Sequence, residues 1–154
     1  DTESCIAMGK DEAYATVQYI RDAGVRFLAI QHAETRDASP ETIGAIVLVA
    51  AYVTPAGAPR CASLVADNIE VRAAYRRMPG LREFIIDAIR RVAATYGFQR
   101  VYAGVSFNEI PLDDLPAVDA RFEKLGGTLD AEPYYLDVFR GWSSCAGSTR
   151  LHPL

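Results

Sequence analysis

The chain predicts an α/β (α+β) domain, a mixed, mostly antiparallel central sheet with helices on both faces. Three observations carry this expectation. Residues 43–53 form an almost wholly apolar run, too short to cross a bilayer and suited to a strand covered on both sides. Residues 61–71 resume as a strand after the Pro- and Gly-bearing loop 54–59, which predicts an antiparallel pair. Leu81, Phe84, Ile85, Ala88, Ile89, Val92, Ala93 and Tyr96 recur at three- and four-residue steps, the period of an amphipathic helix, and Gly97 supplies its stop.

The remaining elements follow in order. The spacing of Ala13, Val17 and Ile20 predicts a helix over 11–23 ending at Gly24. Alternation over 25–33 predicts a strand, and the charged, Ser- and Pro-bearing stretch 35–42 a turn. After the amphipathic helix, 99–107 reads as a strand and 108–116 as an acidic loop with two prolines. A short helix is expected from 116 or 117 to 125, stopped by Gly126 and Gly127, then a final strand within 128–139. Residues 1–140 make the domain, and 141–154, rich in Ser, Gly and Thr, read as a loose, flexible tail. The first three strands should form an antiparallel meander, and the strand–helix–strand unit from 61 to 107 a parallel crossover.

Composition removes several classes of function. At 154 residues the chain is one domain with room for a real core. A net charge of −4 gives no chain-wide basic field for nucleic acid, so none is expected as a partner. Cys5, Cys61 and Cys145 form no CxxC pair, and His32 and His152 stand far apart, so no metal is expected. An odd cysteine count without a disulfide framework suits a reducing compartment. Neither a signal peptide nor a membrane span is read, and the expected location is cytoplasmic. Asp1 in place of Met predicts a processed or trimmed start.

The basic stretch 71–81 is the functional candidate. A strand that turns through a basic, glycine-bearing loop into a helix offers an anion site, because the first N–H groups of a helix lack internal partners and its dipole is positive there. Arg76 and Arg77 sit in that loop, whereas Arg90 and Arg91 read as a solvated helix face. Other schemes are weak. Cys61 opens an apolar strand, where a cysteine is usually packing. The segment 141–145 lacks the setting of a serine-hydrolase elbow, and Gly24, Gly44 and Gly57 match no dinucleotide fingerprint.

Three segments together resemble the GNAT superfamily of acyl-CoA-dependent N-acyltransferases. Val71-Arg72-Ala73-Ala74-Tyr75-Arg76 is similar to the family's Val-x-Pro-x-Tyr-Arg run. The strand 101–107 ending at Asn108 is similar to its fifth strand, and Ala120-Arg121-Phe122-Glu123-Lys124-Leu125-Gly126-Gly127 to its Tyr-Glu-Lys-Leu-Gly-Phe segment. The resemblance spans about 25–139 and implies a GNAT-like fold and transfer of an acyl group, acetyl first, from acetyl-CoA or another acyl-CoA to a primary amine. The acceptor is then a small-molecule or peptide amine, with no membrane partner, and a homodimer is allowed.

The family's pyrophosphate loop, Arg/Gln-x-x-Gly-x-Gly/Ala, departs here in either register. Starting from Arg76, Pro79 and Leu81 take the glycine positions; starting from Arg77, Gly80 and Arg82 do. Pro79 removes an N–H donor, and a bulky residue at the second position crowds a phosphate. The resemblance implies cofactor contacts from Val71, Arg76, Arg77, Met78, Gly80, Leu81, Arg82 and Asn108. It implies Asp67 as the base, with Glu70 as second choice, each otherwise a solvated strand carboxylate. The family's tyrosine acid is Phe122 here, with Tyr134, Tyr135 and Tyr102 as replacements and Tyr134 first. Two other readings accompany this one: a long-chain donor carried by acyl carrier protein, and a catalytically silent module that binds a ligand or partner. The acidic loop with Glu109, Asp113, Asp114 and Asp119 reads as solvated, or as an attraction for a cationic amine.

Overall fold

A computed structural model describes residues 22–105, 109–126, 134–136, 141–143 and 145–154. The expected helix over 11–23 lies almost wholly outside the described residues, as does Asn108. The strands are β1 (Val25–His32), β2 (Glu41–Pro55), β3 (Cys61–Val71), β4 (Arg100–Gly104), β5 (Val118–Lys124), β6 (Tyr134–Leu136), β7 (Gly141–Ser143) and β8 (Ala146–Pro153). The described residues hold one α-helix, α1 (Leu81–Thr95).

Beginning from β2, the apolar run works as expected: buried residues face both ways along it, and it pairs with three strands. Its first half carries β1 on one edge and its second half carries β5 on that same edge, while β3 lies along the other. The meander β1–β2–β3 is antiparallel, and β3 pairs in parallel with β4 across α1. The sheet order is β1-β2-β3-β4-β8-β5, and the further β2–β5 pairing closes β2, β3, β4, β8 and β5 into a five-stranded ring.

That closure overturns the expected α/β class. Among the described residues the domain is predominantly β, a small closed barrel with one helix outside it, and not a GNAT-like sheet covered by helices on both faces. Two segments account for the difference. The expected helix ending at Leu125 is strand β5: Ala120, Phe122 and Lys124 are buried while Asp119 and Arg121 are exposed, a period of two. Its apolar positions were too few to distinguish that period from a helical one. The expected loose tail is β7 and β8, and β8 sits between β4 and β5 with Leu151 fully buried. Only Leu151 is both apolar and buried along that strand, so its neighbours' hydrogen bonds set its place and its hydrophobicity does not.

Two cores result. Inside the ring pack Val47, Val49, Val53, Val65, Tyr102 and Phe122 among others. Outside it, Leu81, Ile85, Ile89 and Ala93, one stripe of α1, cover Leu64, Ala66, Ile69 and Val71 of β3. The helix closes as the sequence suggests: Gly97 has φ 77°, its N–H donates to Ala94 O and that of Phe98 to Ala93 O, a Schellman stop.

Gly44 fixes how closely β2 approaches the end of β3. A Cβ there would lie 2.3 Å from Glu70 O and 3.1 Å from Val71 Cα. Gly44→Ala is therefore expected to destabilise the fold by about 1–3 kcal/mol, as overpacking does. A urea midpoint unchanged from wild type would show that the strands part freely.

Candidate functional site

The site is built where β3 outruns β4. Parallel pairing stops at Ala66 with Ala103, yet β3 continues to Val71. At the same point β3 carries a bulge against β2: Val47 faces Asn68 and Leu48 faces Ala66, which leaves Asp67 as the extra residue. Bulges twist a strand and re-aim its side chains. Ala66 and Ile69 both belong to the core under α1, so Asp67 and Asn68 between them turn toward the other side of the sheet. Both are buried, Asp67 1% and Asn68 2% exposed. The Asn68 amide donates to Glu70 Oε1 at 3.2 Å, so the two candidate carboxylates share one short polar stretch.

Glu109 docks on the freed edge of β3. Its main-chain N–H donates to Ile69 O at 2.9 Å, and its Oε2 accepts from the Val71 N–H at 2.7 Å. Its Oε1 pairs with Arg76 Nη2, while Arg76 Nε donates to Val71 O at 2.9 Å. The Arg72 N–H is already spent on Ile43 O at 2.8 Å, so Val71 carries the N–H that points into the opening.

The loop 72–80 then reaches α1. The N–H groups of Tyr75, Met78 and Leu81 donate to Arg72 O, Tyr75 O and Met78 O, which commits them within the loop. Gly80 is the N-cap with φ 79°, a left-handed turn that glycine takes without strain, and no side chain caps the helix. Met78 and Leu81 pack into the core under α1, so they serve as anchors. Arg82 donates through both Nη atoms to Asp114 Oδ2 at 3.0 Å, and this holds the Asp114 carboxyl below its ordinary value. Arg72 and the Tyr75 hydroxyl both engage Glu41; that hydrogen bond, then its charge, raises the Tyr75 phenol. Arg77 is exposed and, among the described residues, has no ion-pair partner.

The sequence-based expectations are met unevenly. Asp67, Glu70, Val71, Arg76, Arg77, Met78, Gly80, Leu81 and Arg82 fall on one continuous β3–loop–α1 unit, as they must from their adjacency in sequence. Tyr134 does not join them in one sheet, because among the described residues β6 pairs with β7 alone, Tyr134 opposite Ser143. Phe122 is fully buried inside the ring, so that position faces the core and away from any substrate. The acidic loop is not simply solvated: Glu109 pairs with Arg76, Asp114 with Arg82, and Asp119 with Arg150. Sequence reading had no role for Glu109 on β3. The signal was available in the parallel crossover, which sets the ends of β3 and β4 side by side and so brings their following loops together.

Among the described residues no cluster of three or more His, Cys, Asp or Glu could hold a metal, and no helix is long and apolar enough to cross a membrane. Cys145 is buried, and desolvation raises its thiol, which makes it a poor nucleophile. No protein-family model matches the chain, and no curated protein or solved structure shows significant similarity to it.

Proposed function

We propose that the chain transfers an acyl group from an acyl-CoA thioester to a primary amine, at the opening where β3 runs on past β4. The supporting observation is the bulge at Asp67, which buries a carboxylate on β3 four residues before Val71, whose N–H leaves the strand edge beyond β4. In this reading the thioester carbonyl accepts from the Val71 N–H, a donor fixed in advance by the sheet. The amine attacks the carbonyl carbon directly; a C–N bond forms, and negative charge gathers on the oxygen. Asp67 takes the proton from the nitrogen, directly or through water. The C–S bond then breaks, and the thiolate takes a proton from water. Arg77, unpaired and exposed, and Arg76 once released from Glu109 supply charge for the cofactor's pyrophosphate.

A second reading has its own support. Arg76 and Arg82 are both neutralised by acids of the loop after β4, and Pro79 lacks a donor, which suits a silent module that binds a partner or ligand without turnover.

Thermal denaturation with acetyl-CoA, free CoA and a long-chain acyl thioester separates these. Acetyl-CoA at a hundredfold over its Kd should stabilise the native state by about 2.7 kcal/mol. A shift with the long-chain thioester alone points to a carrier-protein donor. No shift with any thioester removes the acyl-transfer reading and leaves the silent module.

A further inference from the structure

We infer that Glu109 is an internal stand-in for the acyl thioester, and that acyl-CoA enters by displacing it. The inference rests on the acyl-transfer reading and adds to it the residue that gates the site. Glu109 makes two contacts on the edge of β3: its N–H donates to Ile69 O, and its carboxylate oxygen accepts from the Val71 N–H. The path between them runs N–Cα–Cβ–Cγ–Cδ=O. In an N-acyl aminoethanethiol thioester, the reactive end of acyl-CoA, the path is N–C–C–S–C=O. Both have the same number of bonds between an amide N–H donor and a carbonyl-type acceptor. A strand edge that satisfies one therefore offers the same pair of partners, Ile69 O and the Val71 N–H, to the other.

The second oxygen makes Glu109 more than a filler. It holds Arg76, whose Nε is fixed on Val71 O. When Glu109 leaves, the donor for the thioester carbonyl is released and Arg76 loses this carboxylate in the same step. The free protein is thus closed by its own side chain, and apparent affinity is reduced by the fraction of molecules in which Glu109 is docked.

The test measures binding of two probes to wild type, Glu109→Ala and Glu109→Gln. One probe is acetyl-CoA; the other is N,S-diacetylcysteamine, which has the aminoethanethiol thioester and no phosphate. Glu109→Ala removes the carboxylate from the Val71 N–H and leaves the main-chain N–H of residue 109 to hold Ile69 O alone. If the carboxylate is docked in at least nine-tenths of free molecules, the variant should bind both probes about tenfold or more tightly than wild type. Glu109→Gln keeps the shape and loses the charge on Arg76, so it should bind both with intermediate affinity, and it carries the test should the alanine variant fail to fold. Tighter binding of acetyl-CoA alone would overturn the inference, since the gain would then come only from the loss of negative charge beside Arg76. Equal or weaker binding of both probes by the variants, with wild type still binding acetyl-CoA, would overturn the gate and leave acyl transfer standing. No binding of either probe by any of the three proteins would overturn both.

Discussion

Asp67→Asn is expected to lower kcat/KM for amine acylation by about 10²–10⁴-fold, the usual contribution of a positioned general base. That range corresponds to about 2.7–5.5 kcal/mol of transition-state stabilisation. The substitution keeps the size and most of the hydrogen-bonding capacity of the side chain while removing the proton acceptor. Because Asp67 is the extra residue of the β3 bulge and is buried, its position is set by the ladder on either side of it and should survive the change. Glu70, half-buried and held by the Asn68 amide, should matter less: Glu70→Gln is expected to cost under about a tenth as much in rate. The check is the pH–rate profile of thiol release. Wild type should show a limb for the base, and Asp67→Asn should lose both rate and limb. An Asp67→Asn profile that matches wild type would remove Asp67 from the chemistry.

The largest stability effect is expected at the other end of the barrel. Lys124 lies on β5 beside Phe122 with its side chain wholly buried, where it pairs with Asp22 and donates to Leu125 O at 3.0 Å. Asp22 also accepts from the Gly24 N–H at 2.7 Å, so it ties the turn before β1 to the barrel floor. Removing it takes this carboxylate away from a buried ammonium. Asp22→Ala should cost about 3–5 kcal/mol, the range for breaking a buried pair from one side. For a domain of this size that is a fall in Tm of roughly 6–20 °C. The pair as a whole is worth far less than its rupture, because burying two charges carries a desolvation penalty of its own. Asp22→Ala combined with Lys124→Met should therefore recover most of the lost stability. A single Asp22→Ala variant melting within about 2 °C of wild type would show that the Lys124 ammonium finds enough other partners.

How much of this was legible in the sequence depends on the kind of signal each element carries. β2, β3 and α1 were readable because their apolar residues outnumber the alternatives: β2 is hydrophobic on both faces, and α1 repeats Leu81, Ile85, Ile89 and Ala93 on one stripe. The parallel β3–α1–β4 crossover followed from their order. β5 was misread as a helix because a seven-residue strand with alternating Ala120, Phe122 and Lys124 looks charged rather than amphipathic when one inward position is a lysine. β8 carries Gly147, Ser148 and Thr149, a composition of loops, and is held in place by ladders to β4 and β5 that no local pattern announces. Ring closure is the sum of those two non-local events. It turned an expected helix-covered sheet into a barrel.

The candidate site divides the same way. Asp67, Glu70 and the arginines were found because they are neighbours in sequence on a strand and its following loop. The burial of Asp67 was not, since it depends on a bulge in which Asp67 itself is the one β3 residue unmatched at the step from Val47 to Leu48. Nor was Glu109, which reaches β3 across 38 residues of chain. Its carboxylate accepts from the Val71 N–H, the donor that the proposed reading gives to the thioester, and this shared donor ties the two proposals together.

Acyl transfer at this edge of β3 requires the Val71 N–H to donate to the thioester carbonyl. The amide ¹H–¹⁵N signal of Val71, followed by NMR as acetyl-CoA and then free CoA are added, tests it. Acetyl-CoA should move this signal far more than free CoA, because only the thioester carries the carbonyl that replaces Glu109. Equal movement with both, or none while acetyl-CoA binds elsewhere, would contradict it.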